Sequence, residues 1–205
     1  MTKQYVYIVD DDEAIRDSLS WLLQSRSIAS LAFPSAEDFL EAWTPALTGC
    51  ILLDIRMERM SGTELFERLL ELGCNLPVIF LTGHGDVPMA VSTLKTGAFD
   101  FFEKPCNDNE LVDRVVEALK ISKARCAATA SADSINSRLN QLTTREREVM
   151  ALVLAGKLNK IIASELQISM RTVEVHRASL FDKMGVRTAV ELAQTLAAGP
   201  GIPTS

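Results

Sequence analysis

Residues 5–13 read YVYIVDDDE and residues 50–54 read CILLD, so two short apolar runs each end in acidic residues. Similar runs recur at residues 28–33, 77–81 and 99–102, and a segment with the apolar spacing of an amphipathic helix follows each of the five. Strands that alternate with helices in this way are typical of βαβ units and a parallel sheet. We therefore predict an α/β fold in which five βα pairs build a doubly wound parallel sheet.

A change in composition after residue 121 predicts a domain boundary. The segment KARCAATASADSINS, at residues 123–137, is rich in Ala and Ser and poor in large apolar side chains, so it cannot build a core. We place a linker at residues 122–138 between a first domain at 1–121 and a second at 139–199. Because the linker contains no Gly or Pro, an extension of the preceding helix into part of it is an equal alternative.

The second domain is predicted to be smaller and all-helical. Its four helical segments and the tail are expected at residues 144–155, 159–166, 170–183, 188–197 and 200–205. A capping-box pair, Thr143 and Glu146, predicts the start of the first helix. The second and third helices are separated by a three-residue turn that ends in Ser169, a good N-cap, and this is the spacing of a helix-turn-helix.

The charge is unevenly distributed along the chain. Residues 1–122 contain 20 Asp/Glu against 10 Lys/Arg, whereas residues 138–205 contain 9 Lys/Arg against 6 Asp/Glu. A basic second domain favours double-stranded DNA as a partner, although an exposed basic helix face can also be merely solvated. No apolar stretch reaches the roughly eighteen residues of a membrane span, and we expect a cytoplasmic protein without a membrane partner.

Acidic and other polar residues follow several of the predicted strands. Asp10 and Asp11 follow the first, Asp54 the third, Thr82 the fourth and Lys104 the fifth. The carboxyl ends of parallel strands meet at one edge, where open α/β sheets bind ligands. A single Asp after a strand is more often only a helix N-cap, but the joint pattern favours a Mg²⁺ site with a nucleophilic carboxylate for phosphoryl transfer. Asp54 is the candidate nucleophile.

Residues 1–121 resemble a bacterial two-component receiver domain through VDDDE, Asp54, TGHGDVPMAV and FFEKP. The resemblance implies the strand order 2-1-3-4-5, with Asp54 as the phosphoacceptor. It also implies that Thr82 and Lys104 contact the phosphoryl group and that Phe101 moves with Thr82 as a switch. The implied Mg²⁺ ligands are Asp10, Asp11, Asp54 and the carbonyl group of Arg56. Glu58 departs from the pattern, because similar receivers carry proline at this position.

Residues 139–197 resemble a LuxR-type DNA-binding output domain through LTTREREVMALVLAG, NKIIASELQIS and RTVEVHRASLFDKM. The resemblance implies that the segment at 159–166 is a scaffold helix and that the one at 170–183 is the recognition helix. The implied DNA-binding residues are Lys160 and Arg177 at phosphates, Arg171, Thr172, Glu174 and Val175 near the bases, and Lys183 on the same outward face.

Over nearly its full length the chain resembles a FixJ-type response regulator. This resemblance implies that a histidine kinase phosphorylates Asp54 with Mg²⁺ bound, that the phosphorylated chain forms a homodimer, and that the dimer binds promoter DNA and recruits RNA polymerase to activate transcription. One alternative is a receiver that serves as a phosphorylation-independent dimerisation module. A second is a phosphatase with an Asp nucleophile, but Arg56 stands where such enzymes carry a second acid, and we do not expect an enzyme.

Overall fold

In the first part of the chain, a five-stranded parallel sheet forms the centre of the fold. The computed structural model describes residues 3–83 and 93–197. The strands are β1 (Tyr5–Val9), β2 (Ser30–Phe33), β3 (Gly49–Asp54), β4 (Val78–Thr82) and β5 (Asp100–Glu103). Their order is β2-β1-β3-β4-β5, which confirms the prediction. The order reverses between β1 and β3, and a crevice for a ligand is expected at that switch point.

Three complete helices of this part begin at polar caps. They are α1 (Glu13–Ser25), α2 (Ala36–Ala42) and α3 (Gly62–Glu71). The side chains of Asp12, Ser35 and Ser61 each accept a hydrogen bond from a backbone N–H of the first turn, which satisfies a group that the helix leaves unpaired. The helix predicted at 86–96 lies mostly outside the described residues, as do motif residues 84–91, while residues 93–95 are helical.

Two apolar layers cover the sheet. Alternate residues of β1 contribute to opposite layers: Val6 and Ile8 pack with α1 and the start of α4 (Asp108–Asn140), whereas Tyr7 and Val9 pack with α2 and α3. Every residue of β3 and β4 is buried. Both central strands are therefore covered on both faces, as their apolar sequences predict.

The predicted linker is helical. It lies within α4, a single helix of 33 residues, and the chain divides into two compact units at Cys126 and Ala127. The ends of the predicted linker belong to the two units: Ser122 is buried and accepts a hydrogen bond from the Gly49 N–H at 3.1 Å, and Ile135 is buried in the second core. The side chains of residues 127–134 are mainly exposed, as are those of residues 123–125 and 136–138.

The described residues of the second unit, which end at residue 197, form four further helices, as expected. They are α5 (Thr144–Leu154), α6 (Asn159–Leu166), α7 (Met170–Met184) and α8 (Ala189–Ala197). The predicted capping box of Thr143 and Glu146 starts α5, and Ser169 caps α7. Residues from all four helices share one core that includes Val149, Ile162, Val173, Leu180 and Leu192. Among the described residues, no helix has the length and apolarity to cross a membrane.

Candidate functional site

A buried cluster of charged side chains lies at the carboxyl edge of the sheet. Asp10, just after β1, and Asp54, the last residue of β3, are 1% and 6% exposed. The ammonium group of Lys104, just after β5, lies 2.7 Å from Asp10 Oδ2 and 2.5 Å from Asp54 Oδ1. The fold thus brings together three of the predicted site residues, from segments that are far apart in sequence.

Burial and charge both act on the protonation of this cluster. Burial raises the pKa of Asp54, and the hydrogen bond and charge of Lys104 oppose that effect. Burial by itself would lower the pKa of Lys104, but the Asp10 and Asp54 carboxylates outweigh it, and the pKa is raised. Lys104 therefore stays charged near neutral pH. With both acids ionised, two carboxylates face one ammonium group, and the cluster can accept a further positive charge.

Thr82 adds a hydroxyl group at the end of β4. Its side chain is fully buried, and Oγ1 has no hydrogen-bond partner among the described residues. A buried hydroxyl without a partner is costly, so such a group is often reserved for a ligand. Phe101 on β5 is half-buried and packs against the apolar cluster that contains Phe80. Its movement together with Thr82 stays a prediction.

The other two predicted metal ligands lie at the rim of this cluster. Asp11 is exposed, and its Oδ2 accepts a hydrogen bond from the Glu58 N–H at 2.9 Å. Arg56 lies two residues after the end of β3, and its backbone N–H donates to the Asp54 carboxylate. Within residues 3–83 and 93–197, no three Asp, Glu, His or Cys side chains are grouped as at a metal centre. Lys104 holds Asp10 and Asp54, and Asp11 is bound to the loop after β3.

Two residues that the sequence analysis did not single out support the backbone around the acids. Arg16 on α1 donates from Nη1 to the carbonyl oxygen of Asp10 at 2.8 Å. Gly62 begins α3 so close to β3 that a Cβ at this position would lie 2.0 Å from the Asp54 carbonyl oxygen. The Gly62 N–H also donates to the Ile55 carbonyl at 3.0 Å. In the sequence, the glycine that follows Ser61 could have indicated this contact, because only a residue without a side chain lets the two backbones come so close.

The predicted DNA-binding residues fall into exposed and partnered groups. Lys160 on α6 and Arg171, Glu174 and Val175 on α7 are exposed. Thr172 and Arg177 are half-buried and have partners within the unit. The hydroxyl of Thr172 lies 2.8 Å from Ser169 Oγ, while Arg177 Nη1 donates to Asn159 Oδ1 at 3.1 Å and its guanidinium group lies 5.4 Å from the Phe181 ring centre.

Lys183 requires a correction. It was expected on the outward face of α7, but its ammonium group lies 2.7 and 2.9 Å from the two carboxylate oxygens of Glu146, which is 3% exposed. Ser179 also donates to Glu146, at 2.6 Å. Although burial favours the neutral acid, the hydrogen bonds from Lys183, Ser179 and Thr143 lower the pKa of Glu146 to about 2. Lys183 thus joins α7 to the start of α5, a contact that helical periodicity alone does not reveal.

Comparison with known proteins matches both units of the chain. The family model for the response regulator receiver domain matches residues 6–116, and the model for bacterial regulatory proteins of the luxR family matches residues 140–196. The transcriptional regulatory protein FixJ from Rhizobium meliloti is 43% identical over 199 residues, which cover 97% of this chain and 98% of that protein. The chain belongs to the FixJ-type response regulators.

Other relatives agree with this assignment. The C4-dicarboxylate transport transcriptional regulatory protein DctR from Rhodobacter capsulatus is 49% identical to this FixJ-type regulator over 191 residues, 92% of this chain and 97% of that protein. Among solved structures, the response regulator StyR has a TM-score of 0.91 and 38% identity and covers 96% of the chain. The buried acids therefore lie in a receiver domain, and the exposed residues of α6 and α7 lie in a LuxR-type DNA-binding domain of a transcription regulator. The receiver implies a histidine kinase as a partner.

Proposed function

We propose that this regulator accepts a phosphoryl group on Asp54 from a histidine kinase and that the reaction depends on Mg²⁺. The observation that supports this most directly is the buried cluster at the carboxyl edge of the sheet. There a candidate nucleophile, Asp54, lies beside the Lys104 ammonium group and near the strand end that carries Thr82, whose hydroxyl has no partner among the described residues. This combination supplies a nucleophile and two donors for the oxygens of a transferred phosphoryl group.

The transfer step needs no other covalent group from the chain. An Asp54 carboxylate oxygen attacks the phosphorus of the kinase phosphohistidine, an O–P bond forms, and the N–P bond breaks as the imidazole leaves. Lys104 then donates to a phosphoryl oxygen in place of the Asp54 oxygen that it now contacts. The hydroxyl of Thr82 donates to a second phosphoryl oxygen and so obtains a partner.

Asp10, Asp11, Asp54 and the carbonyl group of Arg56 would hold the Mg²⁺ ion. The donor set fits because it consists of hard oxygen ligands, and because the two buried carboxylates are only partly neutralised by Lys104. When bound, Mg²⁺ would neutralise negative charge on the oxygens of the transferred phosphoryl group. The Arg56 N–H keeps Asp54 oriented through its hydrogen bond.

The output step is homodimerisation followed by binding to double-stranded promoter DNA and recruitment of RNA polymerase. The exposed side chains of Arg171, Glu174 and Val175 support contact of α7 with base edges, with Thr172 beside them. We expect Lys160 and Arg177 to contact phosphates. The name of the DctR relative suggests a promoter of a C4-dicarboxylate transport gene as the first DNA probe.

Light scattering with Mg²⁺ and beryllofluoride, a phosphoryl mimic, tests this proposal. The wild-type chain is expected to change from monomer to dimer and to bind promoter DNA more tightly, and Asp54→Asn is expected to remain monomeric. Asp17→Asn, the same change at an exposed position of α1, serves as the control and should behave like the wild type. Wild-type protein that remains monomeric would overturn the dimer step. Dimers in every sample, Asp54→Asn included, would instead support a phosphorylation-independent dimerisation module.

A further inference from the structure

One of the proposed Mg²⁺ ligands is bound elsewhere in this structure. Asp10 and Asp54 meet at the Lys104 ammonium group, whereas the carboxylate of Asp11 accepts a hydrogen bond from the backbone N–H of Glu58 at 2.9 Å. Among the described residues, Asp11 is not part of a cluster of three or more acidic, histidine or cysteine side chains that could hold a metal ion. Its position is therefore set by the loop after β3 as well as by the end of β1.

This hydrogen bond lies where solvent and ions have access. Asp11 and Glu58 line an open cleft of about 590 Å³, together with Asp12, Asp38 and Arg59. Arg59 has a positive φ of 66°, so the loop makes a tight turn directly after Glu58.

We propose that the backbone N–H of Glu58 is a latch that holds Asp11 away from the metal site and so lowers the affinity of the receiver for Mg²⁺. This inference depends on the proposed Mg²⁺ site. The side chain of Glu58 is not the latch, because the donor is the main-chain amide. Any residue except proline at position 58 supplies this donor, since proline alone lacks a backbone N–H.

Two substitutions separate the amide from the side-chain charge. Glu58→Ala removes the carboxylate and keeps the N–H, whereas Glu58→Pro removes both. The difference between them combines the loss of the hydrogen bond with the fixed φ of proline, and the amide measurement on the wild type reports on the hydrogen bond by itself. A net hydrogen bond of ordinary strength corresponds to a change of about three- to tenfold in an equilibrium constant. We therefore expect Glu58→Pro to bind Mg²⁺ about three- to tenfold more tightly than Glu58→Ala does.

The measurement is a Mg²⁺ titration of the full-length chain, followed by the backbone amide resonances of the receiver. The dissociation constant is fitted for the wild type, Glu58→Ala, Glu58→Pro and Asp54→Asn. The titration of the wild type contains a second test that needs no variant. The Glu58 amide resonance should move with Mg²⁺, and its temperature coefficient should change from that of a hydrogen-bonded amide to that of an amide exposed to water.

The possible results separate the latch from the site on which it depends. If Glu58→Pro binds no more tightly than Glu58→Ala, or if the Glu58 amide keeps its hydrogen bond at saturating Mg²⁺, the latch is overturned while the metal site stands. If the wild type shows no saturable Mg²⁺ shifts, or if Asp54→Asn binds as well as the wild type does, the proposed metal site itself fails. Should Glu58→Pro be unfolded, the wild-type amide measurement decides alone.

Discussion

At the scale of single residues, the site is built from polar side chains that are buried where apolar ones would be more stable. Asp10, Asp54 and Thr82 lie at the ends of strands in the centre of the sheet, and all three are buried. Lys104 partly compensates the two acids, but the Thr82 hydroxyl has no partner in the described chain. Local departures of this kind from the rules of stable packing are expected at functional sites.

Substitution of Thr82 tests whether its hydroxyl is reserved for a ligand. Valine has nearly the same shape without the hydroxyl, so Thr82→Val should raise the free energy of unfolding without ligand by about 1 kcal/mol. The same variant should lose most of its response to beryllofluoride. Urea unfolding followed by tryptophan fluorescence measures stability, since both tryptophans, Trp21 and Trp43, belong to the first unit.

Thr82→Ser is the matched control for this experiment. It keeps the hydroxyl and loses a buried methyl group, so it should be less stable than the wild type and should still respond to beryllofluoride. A Thr82→Val variant that is less stable than the wild type would mean that the hydroxyl is satisfied in the unliganded protein.

Glu146 should make the stability of the second unit dependent on acid pH. The folded pKa of about 2 lies below the ordinary 4.5, so the unfolded chain binds the proton more readily. The stabilisation is therefore present above about pH 4.5 and is lost as the pH falls toward 2. Glu146→Gln should lower the free energy of unfolding by about 1–2 kcal/mol at pH 7 and show a weaker loss below pH 5.

Methyl resonances of Val173 and Leu192, both in the core of the second unit, can follow its unfolding in the intact chain. The other acidic residues titrate in both proteins, so the difference between wild type and Glu146→Gln isolates Glu146. Parallel pH profiles for the two proteins would contradict the lowered pKa.

At the scale of secondary-structure elements, helix α3 depends on its contact with β3. Gly62→Ala would place a methyl group 2.0 Å from the Asp54 carbonyl oxygen, so the start of α3 must move. We expect a loss of about 2–4 kcal/mol in the free energy of unfolding, within the upper range for single substitutions. Urea unfolding followed by tryptophan fluorescence measures it.

Gly73→Ala is the control for backbone conformation, because Gly73 has a φ of 73° and its added Cβ would meet nothing within 4 Å. Gly73→Ala should lower the free energy of unfolding by only about 1–2 kcal/mol, which is the cost of a left-handed backbone conformation for a residue with a side chain. Equal losses at the two glycines would show that the contact with Asp54 is not what requires Gly62.

Two lysines of the second unit, Lys183 on α7 and Lys160 on α6, differ in their surroundings. Lys183 binds Glu146, whereas Lys160 on the preceding helix is exposed. Lys183→Met should lower the stability of the second unit by about 1–2 kcal/mol. Lys160→Met should leave stability unchanged, weaken DNA binding, and reduce the slope of log affinity against log salt by about 1.

Both variants can be compared by DNA-binding anisotropy at several salt concentrations, with stability followed by the same methyl resonances. A reduced salt slope with unchanged stability for Lys183→Met would support the expectation that Lys183 belongs to the DNA-binding residues. An unchanged slope for Lys160→Met would remove that residue from the DNA interface.

At the scale of the whole molecule, α4 belongs to both compact units. Its first part is held to the receiver by Ser122, which accepts from Gly49, and by Arg125, which donates to the Asn75 carbonyl at 2.9 Å. Near its end, Ile135 is buried in the second core and Arg138 donates to the Met184 carbonyl. Between these contacts, residues 127–134 have mainly exposed side chains.

Amide hydrogen exchange of the full-length chain should therefore be uneven along this single helix. Residues 127–134 should exchange much faster than residues 111–122, since their side chains are mainly exposed whereas several of residues 111–122 are buried in the first core. Exchange detected by NMR at single amides gives this comparison. Ala130→Gly should accelerate exchange in the middle of α4 further, because it lowers the free energy of local opening there by about 1 kcal/mol. Equal protection along α4 would show that its middle is stabilised by contacts beyond the helix.

Several properties of this regulator follow from its sequence alone, because they depend on neighbours along the chain. Apolar runs that end in acids predicted the parallel strands and the placement of Asp54. The spacing of Thr143 and Glu146 predicted where α5 begins, and the turn before Ser169 predicted the helix-turn-helix. In each case the relevant groups are a few residues apart, so local hydrogen bonding and periodicity are sufficient.

Tertiary structure alone decided which side chains are already engaged. Lys183 meets Glu146 across 37 positions, the Glu58 amide meets Asp11 across 47, and Ser122 meets Gly49 across 73. No pattern in the sequence predicts these contacts, because they form only after strands and helices have packed. A charged or polar residue that looks free on its own helix is therefore bound or unbound according to which distant element the packing brings beside it.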